Sequence, residues 1–163
     1  MSVFQSQYTR ALKVIPSDNC NVPFPAKISS GVTTSSSAAM LIDSEANFNQ
    51  LGVKTGDIVY NNSNNFAATV LEVVNATTLL LNADIIPSSA TLYTIYVASS
   101  QSTNGNQGCY LYIGADGNVE VTTIGGDRVT FNDLKGGTTL PVQVLQVHSF
   151  DSQTTSTSII ALW

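Results

Sequence analysis

Charge is what this 163-residue sequence has least of. Six Lys and Arg and eleven Asp and Glu make up only 10% of it, against about a quarter in ordinary soluble domains. The basic residues are unclustered and the net charge is −5, which speaks against a nucleic-acid surface, since that would need a basic stripe. No run approaches the eighteen apolar residues of a membrane span, and the opening MSVFQSQYTRALKVIPSDN lacks a basic stretch followed by an apolar one. The expectation is a chain neither exported by a visible signal nor crossing a membrane. There are two cysteines. Cys20 and Cys109 lie far apart and match no metal spacing, so both are expected to be small buried residues, with a disulfide as the alternative.

The missing charge is replaced by Ser, Thr and Asn. Long flexible Lys and Glu side chains are scarce where surface is buried against other subunits, so the composition suits a packed assembly or an extracellular β protein. A monomeric β domain rich in Thr is the competing explanation, because Thr favours strands.

The pattern is all-β in three stretches. Residues 1–28 carry scattered apolar positions and then Pro16, Pro23 and Pro25, which exclude a helix and leave extended backbone. This is either an arm lying on a neighbouring subunit or the first edge strand of its own domain. Residues 29–107 open with a Ser/Thr-rich spacer that is either a linker or a hairpin tip. About five short strands follow from Met40 to Val97, with turns at roughly ten-residue intervals, as in a small barrel or sandwich. Asp43, Ser44 and Glu45 are placed to begin one helical turn that Gly52 would end. Residues 108–163 alternate most cleanly. Leu111 and Ile113 before Gly114–Gly117, with Val119 and Val121 after, predict a hairpin. Gly125-Gly126-Asp127 predicts the next turn, before Val129 and Phe131.

Two features ask for a second covered face. In LPVQVLQVH, Leu140, Val142 and Val144 share one side while Leu145 and Val147 fall on the other, so either both faces are covered or a bulge sits near Leu145. In the closing IIALW both faces are apolar: Ile160 and Leu162 on one, Ile159, Ala161 and Trp163 on the other. An apolar strand at that position is expected to close a sheet or meet a partner. The candidate subunit or capsid contacts are Phe4, Tyr8, Leu12, Ile159, Ala161 and Trp163.

Catalytic chemistry has little to work with. His148 is the single histidine. Its neighbours Ser149 and Asp151 cannot form a triad by sequence proximity, because triad members come from separate elements, so a strand-end surface residue is expected. Neither cysteine has a local signature of a nucleophile. Asp116-Gly117-Asn118-Val119-Glu120 is the nearest approach to a Ca²⁺ loop and lacks the remaining ligands. Gly114–Gly117 and Gly125-Gly126 precede no helix and read as turns, not phosphate cradles. No catalytic, metal or cofactor residue is assigned. Tyr8, Tyr60, Tyr93, Tyr96, Tyr110 and Tyr112 could present a glycan surface, although alternating strand tyrosines are more often half-buried packing.

The segment from Leu111 to Val147 and the closing IIALW resemble the spike-base and capsid-decoration (cement) proteins of tailed phages and gene transfer agents. The resemblance lies in a GGDxVTF turn at Gly125–Phe131, a GxxLPVxV strand at Gly137–Val144 and an IxAL[WY] ending at Ile159–Trp163. The Pro-Ser-Asp segment at residues 16–18 is similar to that family's opening, and residues 29–107 stand between the two parts as an insertion. Within it, Phe48–Asn61 resembles the FxxxGVxxGDIVxN start of a small β module of phage virion proteins. The resemblance implies an antiparallel, jelly-roll-like β-sandwich built from the N- and C-terminal regions, plus an inserted small β-barrel module. It implies a non-enzymatic virion structural protein, made in the bacterial cytoplasm, that binds the major capsid protein or other virion proteins. Symmetry would make it a trimer on capsid faces or a pentamer at vertices. A tail, neck or fibre module that binds a receptor or carbohydrate is the alternative.

Overall fold

The computed structural model describes residues 8–98, 108–149 and 153–163. Their strands, in chain order, are β1 (Ala11–Lys13), β2 (Lys27–Val32), β3 (Ser35–Ser37), β4 (Met40–Ile42), β5 (Ile58–Asn61), β6 (Phe66–Asn75), β7 (Thr78–Leu81), β8 (Leu92–Tyr96), β9 (Cys109–Ile113), β10 (Gly117–Thr123), β11 (Arg128–Leu134), β12 (Thr138–Val147) and β13 (Ile159–Leu162). A single helical turn, α1, spans Phe48–Leu51. The strands form two antiparallel sheets that pack together: a six-stranded sheet in the order β1-β13-β9-β12-β10-β11, and a seven-stranded one in the order β2-β8-β5-β6-β7-β4-β3. The chain forms the expected all-β sandwich.

The seven-stranded sheet closes on itself. Its outer strands β2 and β3 are successive parts of one segment: the Thr33 amide donates to the Thr91 carbonyl at 3.0 Å, and the Thr34 amide to the Ile42 carbonyl at 2.9 Å. The Ser/Thr-rich stretch therefore crosses from one end of the sheet to the other, and β3–β4 is the hairpin tip. The enclosed core holds Leu41, Phe48, Val59, Val70, Leu79 and Ile95. Strand β5 is buried at every position. Val59 points into this core, while Ile58 and Tyr60 point out of it, under Ile15 and Cys20. Two covered faces are why GDIVYN lacks polar alternation.

Helical turn α1 is capped by Asn47, whose Oδ1 accepts from the Gln50 amide at 3.1 Å, and not by the Asp43–Glu45 run. Asp43 is instead buried: Oδ1 accepts from the Glu45 amide at 3.0 Å and Oδ2 from the Tyr93 hydroxyl at 2.6 Å. Gly52 ends the turn at φ +79°, in the left-handed region that favours glycine.

The predicted hairpin between Leu111–Ile113 and Val119–Val121 does not form. Strands β9 and β10 both run antiparallel to β12 and never pair with each other. Alternation fixes which side chains share a face but not which strand lies alongside. The glycines of the connection serve close approach. A Cβ on Gly114 would sit 2.6 Å from the Ser158 hydroxyl, and one on Gly117 2.6 Å from the Ser156 amide. The hairpin predicted at Gly125–Asp127 does form, joining β10 to β11.

The phase break in β12 is resolved by bulges. Register shifts fall between Leu140 and Val144 against β9, and between Thr122 and Thr123 against β10, where Leu145 is the extra residue. Leu140, Val144 and Val147 consequently share the buried face.

Residues 14–22 lie as a strap between the sheets. Amides of Val14, Ser17 and Val22 donate to carbonyls of Ile159, Val147 and Leu145 at 2.8–2.9 Å. In the other direction, the Ser17 hydroxyl donates to the Ala67 carbonyl at 2.9 Å, and the Asn19 carbonyl accepts from Asn82 Nδ2 at 2.6 Å. Proline-rich backbone that can join neither sheet as a central strand is used as a clamp.

Candidate functional site

The outward face of β13 and β9 is set by register. Ile159 lies opposite Ile113 and Ala161 opposite Leu111, and these point inward; Ile160 lies opposite Tyr112 and Leu162 opposite Tyr110, and these point out. Directly opposed residues share a face. Tyr8 joins the outer group, its ring centroid 5.7 Å from that of Tyr110. Ile160, Leu162 and Tyr110 are half-buried and Tyr112 is 39% exposed, so four large apolar or aromatic side chains lie side by side on one sheet face.

This placement redistributes the candidate contacts. Ile159 and Ala161 are 2% and 0% exposed and belong to the chain's own core, so they have no surface to offer a partner. Leu12 faces inward and packs beside Ile15 and Cys20. Trp163 packs partly against the same core as Ile159 and sits edge-on to Phe24 at 6.0 Å. Arg10 covers the other partner, with its guanidinium 5.1 Å from the Phe24 ring. Of the six, Tyr8 alone stands on the outer face; Phe4 lies outside the described residues. Residues 11–13 form an edge strand on β13 of the same chain.

A polar network occupies the other end of this sheet. His148 is 5% exposed, not a surface residue. Its Nδ1 lies 2.8 Å from Asp18 Oδ1 and its Nε2 2.8 Å from the Thr122 hydroxyl. The Ser149 hydroxyl donates to Asp18 Oδ2. Burial pushes the Asp18 carboxyl up, but hydrogen bonds from Ser149 and His148 outweigh it and hold the group below the usual carboxylate range. With Asp18 ionised, Nδ1–H donates to it, and Nε2 shares a hydrogen bond with the Thr122 hydroxyl. Next to this, Arg128 grips Glu120 with two bonds of 2.9 and 3.0 Å, and that hydrogen bonding lowers the Glu120 carboxyl. The His148 amide donates to the Glu120 carbonyl at 2.9 Å.

An aspartate–histidine–hydroxyl chain is the layout of a nucleophile relay, but here the hydroxyl stands in mid-strand, opposite Arg128 and Gln146. Both imidazole nitrogens are spent on holding the strap to the sheet. Cys20 and Cys109 are free and buried, and burial pushes each thiol up to about 12, the opposite of an activated nucleophile. Asp116 is occupied by Lys135 Nζ and the Gly136 amide, both at 2.9 Å. Among the described residues, no group of three His, Cys, Asp or Glu could hold a metal ion, and no helix is long and apolar enough to cross a membrane. Of the six tyrosines, Tyr60 and Tyr93 are buried, so they present no continuous surface.

No protein-family model matches the chain, and neither a curated protein nor a solved structure is significantly similar to it. The residues that reading by sequence passed over are Asp18 and Thr122, the two partners of His148. Asp18 comes from the strap, 130 positions away, and the only local signal was the Pro-Ser-Asp segment itself.

Proposed function

We propose that this protein is a non-enzymatic structural component of a bacteriophage virion, a capsid decoration or cement protein or the base of a head spike, acting as a cyclic trimer or pentamer on the capsid exterior. The observation that carries the proposal is the outward row of Tyr110, Tyr112, Ile160 and Leu162 on β9 and β13. Adjacent apolar side chains on an outer sheet face are what a neighbouring subunit or shell protein covers. The sparse charge suits such burial. The segments that resemble spike-base and decoration proteins supply the same sheet: Gly125–Phe131 spans the turn into β11, Gly137–Val144 the first part of β12, and Ile159–Trp163 includes β13. The engaged histidine and the two high-pKa thiols favour a mechanical role over a catalytic one.

The test uses particles prepared without this protein. Purified wild-type chain is expected to co-sediment with them, and Tyr112→Glu combined with Leu162→Glu to abolish co-sedimentation while the variant still melts cooperatively as a folded chain. Retention of the double variant on the particles would refute the assigned surface, and failure of the wild type to bind would refute capsid decoration.

A further inference from the structure

At the seam between the two sheets lies a cleft of about 530 Å³ whose walls come from both: Ser17, Asp18 and Asn19 of the strap, Asn65 and Phe66 at the start of β6, and Ser149 beyond β12. An adjoining hollow of about 240 Å³ shares Asn65 and Pro16 with it. Phe66 is 55% exposed, the most exposed large apolar side chain among the described residues. It is followed by buried Ala67, so the strand holds Phe66 in the cleft wall although folding gains little from it.

Two asparagines beside it have fixed backbones, while the Asp18 carboxylate is engaged by His148 and Ser149. The backbone of Asn19 is pinned by the Ser17 hydroxyl at 3.1 Å, Thr69 Oγ1 at 3.0 Å and Asn82 Nδ2 at 2.6 Å. Asn65 takes up the left-handed conformation at φ +57°, and its amide donates to the Asn61 carbonyl at 2.9 Å. Neither asparagine's side-chain amide has a hydrogen-bond partner among the described residues. Asp18 is oriented from behind by His148, a buried side chain, and by Ser149. Fixed backbones carrying unspent amides beside an oriented carboxylate form a built site.

We propose that this cleft binds a sugar ring of a glycan, with an apolar face of the ring against Phe66 and its hydroxyls on the Asn19 and Asn65 amides. The chemistry of the walls selects that class. None of the residues lining the larger cleft is basic, and Lys13 lines only the adjoining hollow, so a phosphate in the larger cleft would lie beside the Asp18 carboxylate with no counter-charge in its walls. A wholly apolar ligand would bury the two amides without partners, which is costly. A ring that offers C–H groups on one face and hydroxyls at its edge satisfies both wall types, since an amide both donates and accepts. The site goes beyond virion attachment: Phe66 belongs to the seven-stranded sheet and the Tyr112–Leu162 face to the other.

Amide chemical shifts of the full chain would be followed while titrating methyl α-D-glucopyranoside, methyl α-D-mannopyranoside, methyl β-D-galactopyranoside and N-acetylglucosamine, each up to about 50 mM, enough to fill a millimolar site. At least one sugar is expected to shift residues 17–19 and 65–67 with millimolar affinity. Phe66→Ala and Asn19→Ala should each weaken binding about tenfold or more, which is about 1.4 kcal/mol, whereas Phe66→Trp should retain it. Tyr112→Ala should change nothing. Both Phe66 and Asn19 are exposed, so all variants are expected to keep the wild-type melting temperature. Absence of shifts with every sugar, shifts confined to other residues, or binding that survives both alanine variants would each overturn the proposal.

Discussion

Asp18 and His148, 130 positions apart, meet at 2.8 Å and fasten the strap between the sheets to the end of β12. The histidine is buried and its second nitrogen is taken by Thr122, so each partner depends on the other. Asp18→Ala would leave Nδ1 buried without an acceptor. The expected cost is about 1–3 kcal/mol, read as a lower urea midpoint with an unchanged slope. Asp18→Asn, which keeps an acceptor oxygen, should cost less.

Acid should loosen the same attachment. Asp18 and Glu120 are held below their ordinary values of 3.8 and 4.5 in the fold, so each contributes stability that is fully present above those values and is lost as pH falls through the lower, folded ones. Urea midpoints measured from pH 6 downwards should therefore fall below about pH 4.5. The fall should be shallower in Asp18→Asn combined with Glu120→Gln. An identical acid profile in the double variant would remove this pair from the cause.

The two faces of β13 should respond differently to truncation. Ile159 lies in the core, so Ile159→Ala is expected to cost about 2–5 kcal/mol through the lost transfer energy and the cavity left behind. Ile160 is half-buried on the outer face, and Ile160→Ala should cost the isolated chain clearly less. Thermal melts of the two variants side by side check the assignment of faces.

Gly31 tests the buried tyrosine–aspartate pair of the seven-stranded sheet. A Cβ there would stand 2.7 Å from the Tyr93 hydroxyl and 2.8 Å from Asp43 Oδ2, whose mutual bond is 2.6 Å. Gly31→Ala must displace one of them, at an expected cost of about 1–3 kcal/mol by overpacking, seen as a drop in melting temperature.

What could be read from the sequence follows from what local pattern encodes. The period-2 alternation of Val119-Glu120-Val121 and Tyr110-Leu111-Tyr112 gave the strands and their inner faces, because each residue's side is fixed by its neighbours. The partner of a strand is not local. Gly114 and Gly117 look like a hairpin turn, yet they make room for Ser156 and Ser158, and β12 enters between the strands they connect. Conflicting alternation at Leu145 did mark a real irregularity. The two-sided apolar pattern of β13 was visible, but which side met the core depended on β9. His148 seemed exposed because the aspartate that buries it arrives from a strap with no strand pattern. Phe66 and Asn65 stood out in no motif, since a cleft at the meeting of two sheets exists only once both have formed.

The proposed virion placement is tested most directly by a cryo-electron reconstruction of phage particles incubated with the purified chain. Copies are expected on the outer shell around three-fold or five-fold axes, with Tyr110, Tyr112, Ile160 and Leu162 covered by a neighbouring copy or by the capsid protein. A particle without the chain, or one in which that face lies open to solvent, would contradict it.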